Sequence, residues 1–119
     1  MGDKQWKQFE RNSAALFGGK RFPANMGHRL DFSSPQFVGQ CKEVRSLSLE
    51  ALTQLVEELD ELAPREDPPR LGAVCVKVRR GTGKPSPILV VMSATTWQAV
   101  QALLVQGTED RHRLEGLEK

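Results

Sequence analysis

Apolar residues recur along the chain with two periods, one near 3.6 and one near 2, and the switches between them mark the elements. From Asp3 to Phe17, Trp6, Phe9, Ser13, Leu16 and Phe17 fall at helical spacing and Gly18-Gly19 supplies a stop, which predicts a first helix. Lys20 to Gly27 holds Pro23, Asn25 and Gly27 without periodicity and reads as a loop. His28 to Phe32 and Phe37 to Val44 are strand candidates separated by Ser33-Ser34-Pro35-Gln36, so they predict a β-hairpin. Ser48 caps a second helix. Leu49, Leu52, Leu55, Val56, Leu59 and Leu62 trace one stripe on it, with Glu50, Glu57, Glu58 and Glu61 elsewhere.

Three prolines between Pro64 and Arg70 end that helix. Leu71 to Val78 and Ile88 to Met92 are apolar, β-branched strands joined by a basic turn from Arg79 to Pro85. Ser93 caps a last helix with Trp97, Val100, Leu103 and Leu104 on one side, and Gly107 ends it. Thr108 to Lys119 is charged and expected to fray. The order α, β, β, α, β, β, α predicts an α/β domain whose mixed β-sheet is flanked by helices, with no internal repeat.

Composition adds limits rather than a function. At 119 residues, with 39% hydrophobic and 27% charged, the chain suits one globular core. Its longest aliphatic run, Ile88 to Met92, is far short of the ~20 residues that span a bilayer, so no membrane partner is expected. The charged N-terminus is unlike a signal peptide and predicts a cytoplasmic protein. Cys41 and Cys75 are then reduced thiols, and neither has a second ligand at zinc spacing. The net charge of +2 hides a segregation: residues 46–72 are acidic, and the segments on either side are basic. One face would repel a polyanion and another would attract it.

Gly81-Thr82-Gly83-Lys84 is not a P-loop. An earlier glycine is missing at Val78, a Ser/Thr is missing at Pro85, and no helix follows. His28 and His112 are the only histidines, and His112 lies in the tail, which disfavours a nucleophilic triad. The informative cluster is Asp31, Gln40 and Lys42. A hairpin turning between Pro35 and Gln36 sets Asp31 opposite Gln40, and Lys42 shares that face by the two-residue period. A carboxylate, an amide oxygen and an ammonium suit Mg²⁺ and a phosphoryl oxygen. The same residues would equally make a solvated strand edge with a cross-strand hydrogen bond.

Asp31 followed by Gln40-Cys41-Lys42 resembles the PD-(D/E)XK nuclease signature. The upstream stretch is similar to the archaeal-type Holliday junction resolvases, with Glu10-Arg11-Asn12 in the first helix and Arg21-Phe22-Pro23-Ala24-Asn25 in place of an Arg-x-Pro-Ala-Ser loop. A helix follows the Glu-x-Lys strand in that family, as Ser48 to Ala63 does here. The likeness covers about residues 6–63. Three positions depart from it: Leu30 stands for the proline before the aspartate, Asn25 for the loop serine, and Gln40 for the glutamate, which removes one negative charge.

The resemblance implies a restriction-endonuclease-like core, with residues 1–107 as a nuclease domain and 108–119 as its tail. It implies Glu10, Asp31, Gln40 and the Cys41 carbonyl as ligands of Mg²⁺, with Mn²⁺ as its substitute, and Lys42 as the group that orients or activates water. Arg11, Lys20, Arg21, Asn25 and Arg29 would contact DNA. The implied activity is Mg²⁺-dependent cleavage of four-way DNA junctions by a homodimer, since two paired cuts match two-fold symmetry. The alternatives are a related nuclease on another branched or single-stranded DNA, and a non-catalytic DNA-binding module.

Overall fold

The computed structural model describes residues 3–22, 30–81 and 83–117. Helix α1 (Asp3–Leu16) is followed by strands β1 (Lys20–Arg21), β2 (Phe32–Ser33) and β3 (Phe37–Val44). Helix α2 (Leu49–Leu62), a 3₁₀ turn (Ala63–Arg65), strands β4 (Leu71–Val78) and β5 (Leu89–Val91) and helix α3 (Ala94–Leu117) complete the order. The strands form one mixed sheet in the order β1-β2-β3-β4-β5. Only β3 and β4 run parallel, with α2 as the crossover between them. The chain is therefore α/β with a five-stranded mixed sheet.

Each turn of the chain has a local cause. Gly18, at φ 69°, closes α1 in a conformation that glycine adopts without strain. The Ser34 hydroxyl accepts the Phe37 N–H at 2.9 Å in the β2–β3 turn. The Ser48 hydroxyl accepts the Ala51 N–H at 3.1 Å, satisfying one of the unpaired donors at the start of α2.

The sheet is covered on both faces. Between the sheet and α2, Leu30, Val38, Val74 and Val76 meet Leu59 and Ala63; between the sheet and α1, Phe32 and Cys75 meet Phe9 and Ala14. Strand β4 is buried continuously from Gly72 to Val76, as a central strand with helices on both faces must be. Phe32, Leu59 and Val38 are the largest fully buried side chains, and such burial is worth about 1.5–3 kcal/mol each. Gly39 is required by the packing on the α1 face, because a Cβ there would overlap the Phe32 ring.

Two expectations need correction. The segment expected to be a loop from Lys20 contains β1, whose residues Lys20 and Arg21 pair with Ser33 and Phe32. A two-residue strand carries no periodicity of its own and forms only because β2 offers it an edge. Gly107 does not end the last helix, nor does the 108–119 segment fray at its start: α3 continues to Leu117. Gln106 bonds Asp110 at 3.0 Å and the Thr108 hydroxyl bonds the Leu104 carbonyl at 3.0 Å, so short-range contacts carry the helix through the glycine. On the apolar side of α3, Trp97, Leu103 and Leu104 are exposed.

Candidate functional site

The β2–β3 register is Phe32 with Gly39 and Ser33 with Val38, as a turn between Pro35 and Gln36 requires. Beyond Phe32 the ladder changes. The Asp31 N–H donates to the Gly39 carbonyl at 2.8 Å, so Asp31 and Phe32 both oppose Gly39. Two residues against one is the arrangement of a β-bulge, and it breaks the alternation of side chains. Leu30 accordingly packs on the α2 face and Phe32 on the α1 face, although they are two residues apart.

Asp31 is held from three sides by this departure. Its carbonyl accepts the Phe22 N–H at 2.9 Å, its amide is bound to Gly39, and its Oδ2 accepts the Cys41 N–H at 2.7 Å. The carboxylate thus takes the place of a strand partner at the edge of β3 and adjoins Glu10 of α1.

Glu10 is the inward member of Glu10-Arg11-Asn12; Arg11 and Asn12 are exposed, and Asn12 accepts from Gln8 at 2.8 Å. The Arg21 Nε donates to Glu10 Oε1 at 2.7 Å, with side-chain exposures of 16% and 12%. The Arg21 guanidinium also lies 5.2 Å from the centre of the Trp6 ring. Trp6 and Glu10 are four residues apart on one helix face, so a single arginine from β1 serves both. Burial raises the Glu10 pKa above the ordinary carboxylate value; the hydrogen bond from Arg21 opposes that rise, and the Asp31 charge adds to it. Two carboxylates sharing a sheltered site with one arginine is the electrostatic character of the place. The Arg21 Nη2 is buried and forms no hydrogen bond among the described residues.

The other expected residues are placed as follows. Gln40 is buried at 8% exposure and Lys42 is exposed. Alternation from Val38, which packs with Leu59, puts both on the α2 face, whereas Glu10 approaches from the α1 face. The bulge is the reason Asp31 does not share their face. Cys41 points toward α1, where it stands in register with Cys75 and beside Ser13. The Cys75 hydrogen bond and burial raise the Cys41 thiol pKa, so Cys41 serves this site through its backbone rather than as a thiolate. Lys20 is exposed. Asn25 and Arg29 lie outside the described residues.

Among the described residues no group of three or more His, Cys, Asp or Glu side chains is placed to hold a metal. Glu10 and Asp31 alone still suit Mg²⁺, which commonly binds through one or two carboxylates and completes its shell with water and phosphate oxygens. The Arg21–Glu10 pair was not legible in the sequence, where the resemblance gave Arg21 to DNA; the helical placement of Trp6 and Glu10 on one face was its only signal. Comparison with protein-family models, curated proteins and solved structures returns no match. No helix among the described residues is long and apolar enough to cross a membrane.

Proposed function

We propose that the chain is a Mg²⁺-dependent endodeoxyribonuclease of the PD-(D/E)XK type that cuts four-way DNA junctions. The observation that carries this reading is the meeting of Glu10 and Asp31, twenty-one positions apart, beside the backbone of the Gln40-Cys41-Lys42 strand. These are the motifs on which the resemblance to junction resolvases was drawn, and folding brings two of its acidic positions to one place.

In this reading Glu10 and Asp31 hold the Mg²⁺, which supplies Lewis-acid stabilisation of the phosphoryl group. The Cys41 N–H fixes the Asp31 carboxylate through Oδ2. Arg21 holds Glu10 and fixes its orientation. Lys42 is exposed on the α2 face, away from the two carboxylates, so the water-orienting role that the resemblance gives it is not carried into this site. Water adds to phosphorus, one P–O bond to a sugar breaks, and that oxygen takes up the proton released by the water. Arg11 and Lys20, both exposed, meet flanking phosphates. The exposed Trp97, Leu104 and Val105 of α3 support a second copy as partner, in keeping with two paired cuts.

A second reading, a DNA-binding module without catalysis, is favoured by the neutral Gln40 and by the arginine already paired with Glu10. Incubation with a labelled four-way junction of synthetic oligonucleotides, with Mg²⁺ and with EDTA, separates the two. Paired nicks that require Mg²⁺ support the nuclease. Binding without cleavage supports the module.

A further inference from the structure

The C-terminal ends of β3 and β4 point the same way, and with the β4–β5 connection and the start of α1 they enclose a cleft of about 710 Å³. Five cations line it: Arg45 from the end of β3, Lys77 and Arg79 at the end of β4, and Arg80 and Lys84 from the connection. The carboxylate there is Glu43. Gly81 (φ 99°) and Gly83 (φ 78°) shape the connection. The Ser86 hydroxyl ties it back to the Val78 carbonyl, so the cations stand on a fixed turn.

Arg45, Arg80 and Lys84 are exposed and form no ion pair among the described residues. Like charges gathered in a concavity repel one another and focus a positive potential, an arrangement that stabilises nothing until a polyanion enters.

The cleft lies on the α1 face of the sheet, since Gln5 of α1 lines it and Lys77 stands 5.9 Å from the Phe9 ring. That is the face from which Glu10 approaches. On the other side, α2 turns Glu50, Glu57 and Glu61 to solvent. From Cys41, whose amide holds Asp31, to Arg45 the strand advances four residues, roughly 13 Å. One strand of B-DNA advances about 3.4 Å per nucleotide, so this distance corresponds to about four base pairs.

We propose that this cleft seats the sugar-phosphate backbone of a duplex DNA arm about four base pairs from the bond that is cut. The position relative to the cut rests on the nuclease reading; the binding itself does not.

The test is salt-dependent binding of a fluorescently labelled junction by the full chain and by the double variant Arg80→Ala/Lys84→Ala. Both residues are exposed and outside the core, and melting curves check that the variant folds. The variant is expected to bind roughly tenfold more weakly and to show a log K–log salt slope shallower by about two, because two phosphates are no longer neutralised. A charge-retaining variant, Arg80→Lys/Lys84→Arg, should keep both. Unchanged affinity and slope in the alanine variant overturn the cleft assignment and leave the nuclease reading intact. Loss of binding in that variant, with a wild-type chain that never cuts in Mg²⁺, overturns the nuclease reading and leaves the cleft as a duplex site. Tighter binding of an RNA duplex than of a DNA duplex, with the same slope, also overturns the assignment.

Discussion

Glu10 of α1 and Arg21 of β1 form a largely buried ion pair at 2.7 Å, and Asp31 adds a second carboxylate beside it. Removing the arginine leaves two neighbouring carboxylates without a compensating cation, which costs more than the pair itself contributes, whereas neutralising Glu10 leaves Asp31 to balance Arg21. Arg21→Ala is therefore expected to destabilise the fold by about 2–4 kcal/mol. Urea unfolding checks it, and Arg21→Lys should recover only part of the loss because it cannot reproduce the planar contact with Trp6.

Glu10 itself should cost stability at neutral pH. Its folded-state pKa is raised from 4.5, chiefly by burial, so the folded chain holds that proton more tightly than the unfolded chain. The Glu10 contribution to stability therefore declines as pH rises from about 4.5 through the raised value, and above it the charged form is a net burden. Glu10→Gln should flatten that part of the stability–pH profile and match or exceed the wild-type Tm at pH 7. Melting of the Glu10→Gln variant well below wild type at pH 7 contradicts this account of the site.

Asp31 has a structural duty and, in the proposed reading, a chemical one, and substitutions can separate them. Asp31→Asn keeps an oxygen for the Cys41 N–H and should fold normally, while Asp31→Ala leaves that amide without its side-chain acceptor at about 1–2 kcal/mol. In a junction-cleavage assay both should lose most activity and retain binding. Lys42 is exposed on the opposite face of the sheet, so Lys42→Ala should fold normally and keep most activity.

Gly39→Ala should destabilise by about 1–3 kcal/mol, because the new methyl would overlap the Phe32 ring in the middle of the sheet. Thermal melting measures it. The paired change Gly39→Ala/Phe32→Leu should cost less than the two single changes added together.

Gly107 gives an opposite expectation. It lies inside α3 without a positive φ, and nothing stands within 4 Å of a Cβ built there. Gly107→Ala should raise helicity and stability by about 0.5–1 kcal/mol. A helix that ended at Gly107 in a left-handed conformation would instead lose stability on the same change, and circular dichroism distinguishes the two.

These elements show what the chain makes legible and where that stops. Strands β3 and β4 and helix α2 were readable because each buries a long periodic pattern that only one register satisfies. Strand β1 was not, since two residues have no period and their pairing depends on β2. The stripe on α3 was legible only as a shared side, because apolar spacing says which residues share a face, not whether anything covers that face. At the site, Glu10 and Asp31 were identifiable from motif likeness, but their meeting depends on a bulge. The bulge turns Asp31 away from the face of Gln40 and Lys42, and simple alternation along a hairpin gives no sign of it.

Single-turnover cleavage of a labelled four-way junction across a Mg²⁺ titration, for the wild-type chain, Glu10→Gln, Asp31→Asn and the double variant, tests the central claim most directly. If the two carboxylates act as one metal-holding unit, each single variant should lose at least about a hundredfold in rate, and the double variant should lose little more than the worse single. Mg²⁺-dependent cleavage near the wild-type rate in either single variant, or no cleavage by the wild-type chain at any Mg²⁺ concentration, would contradict it.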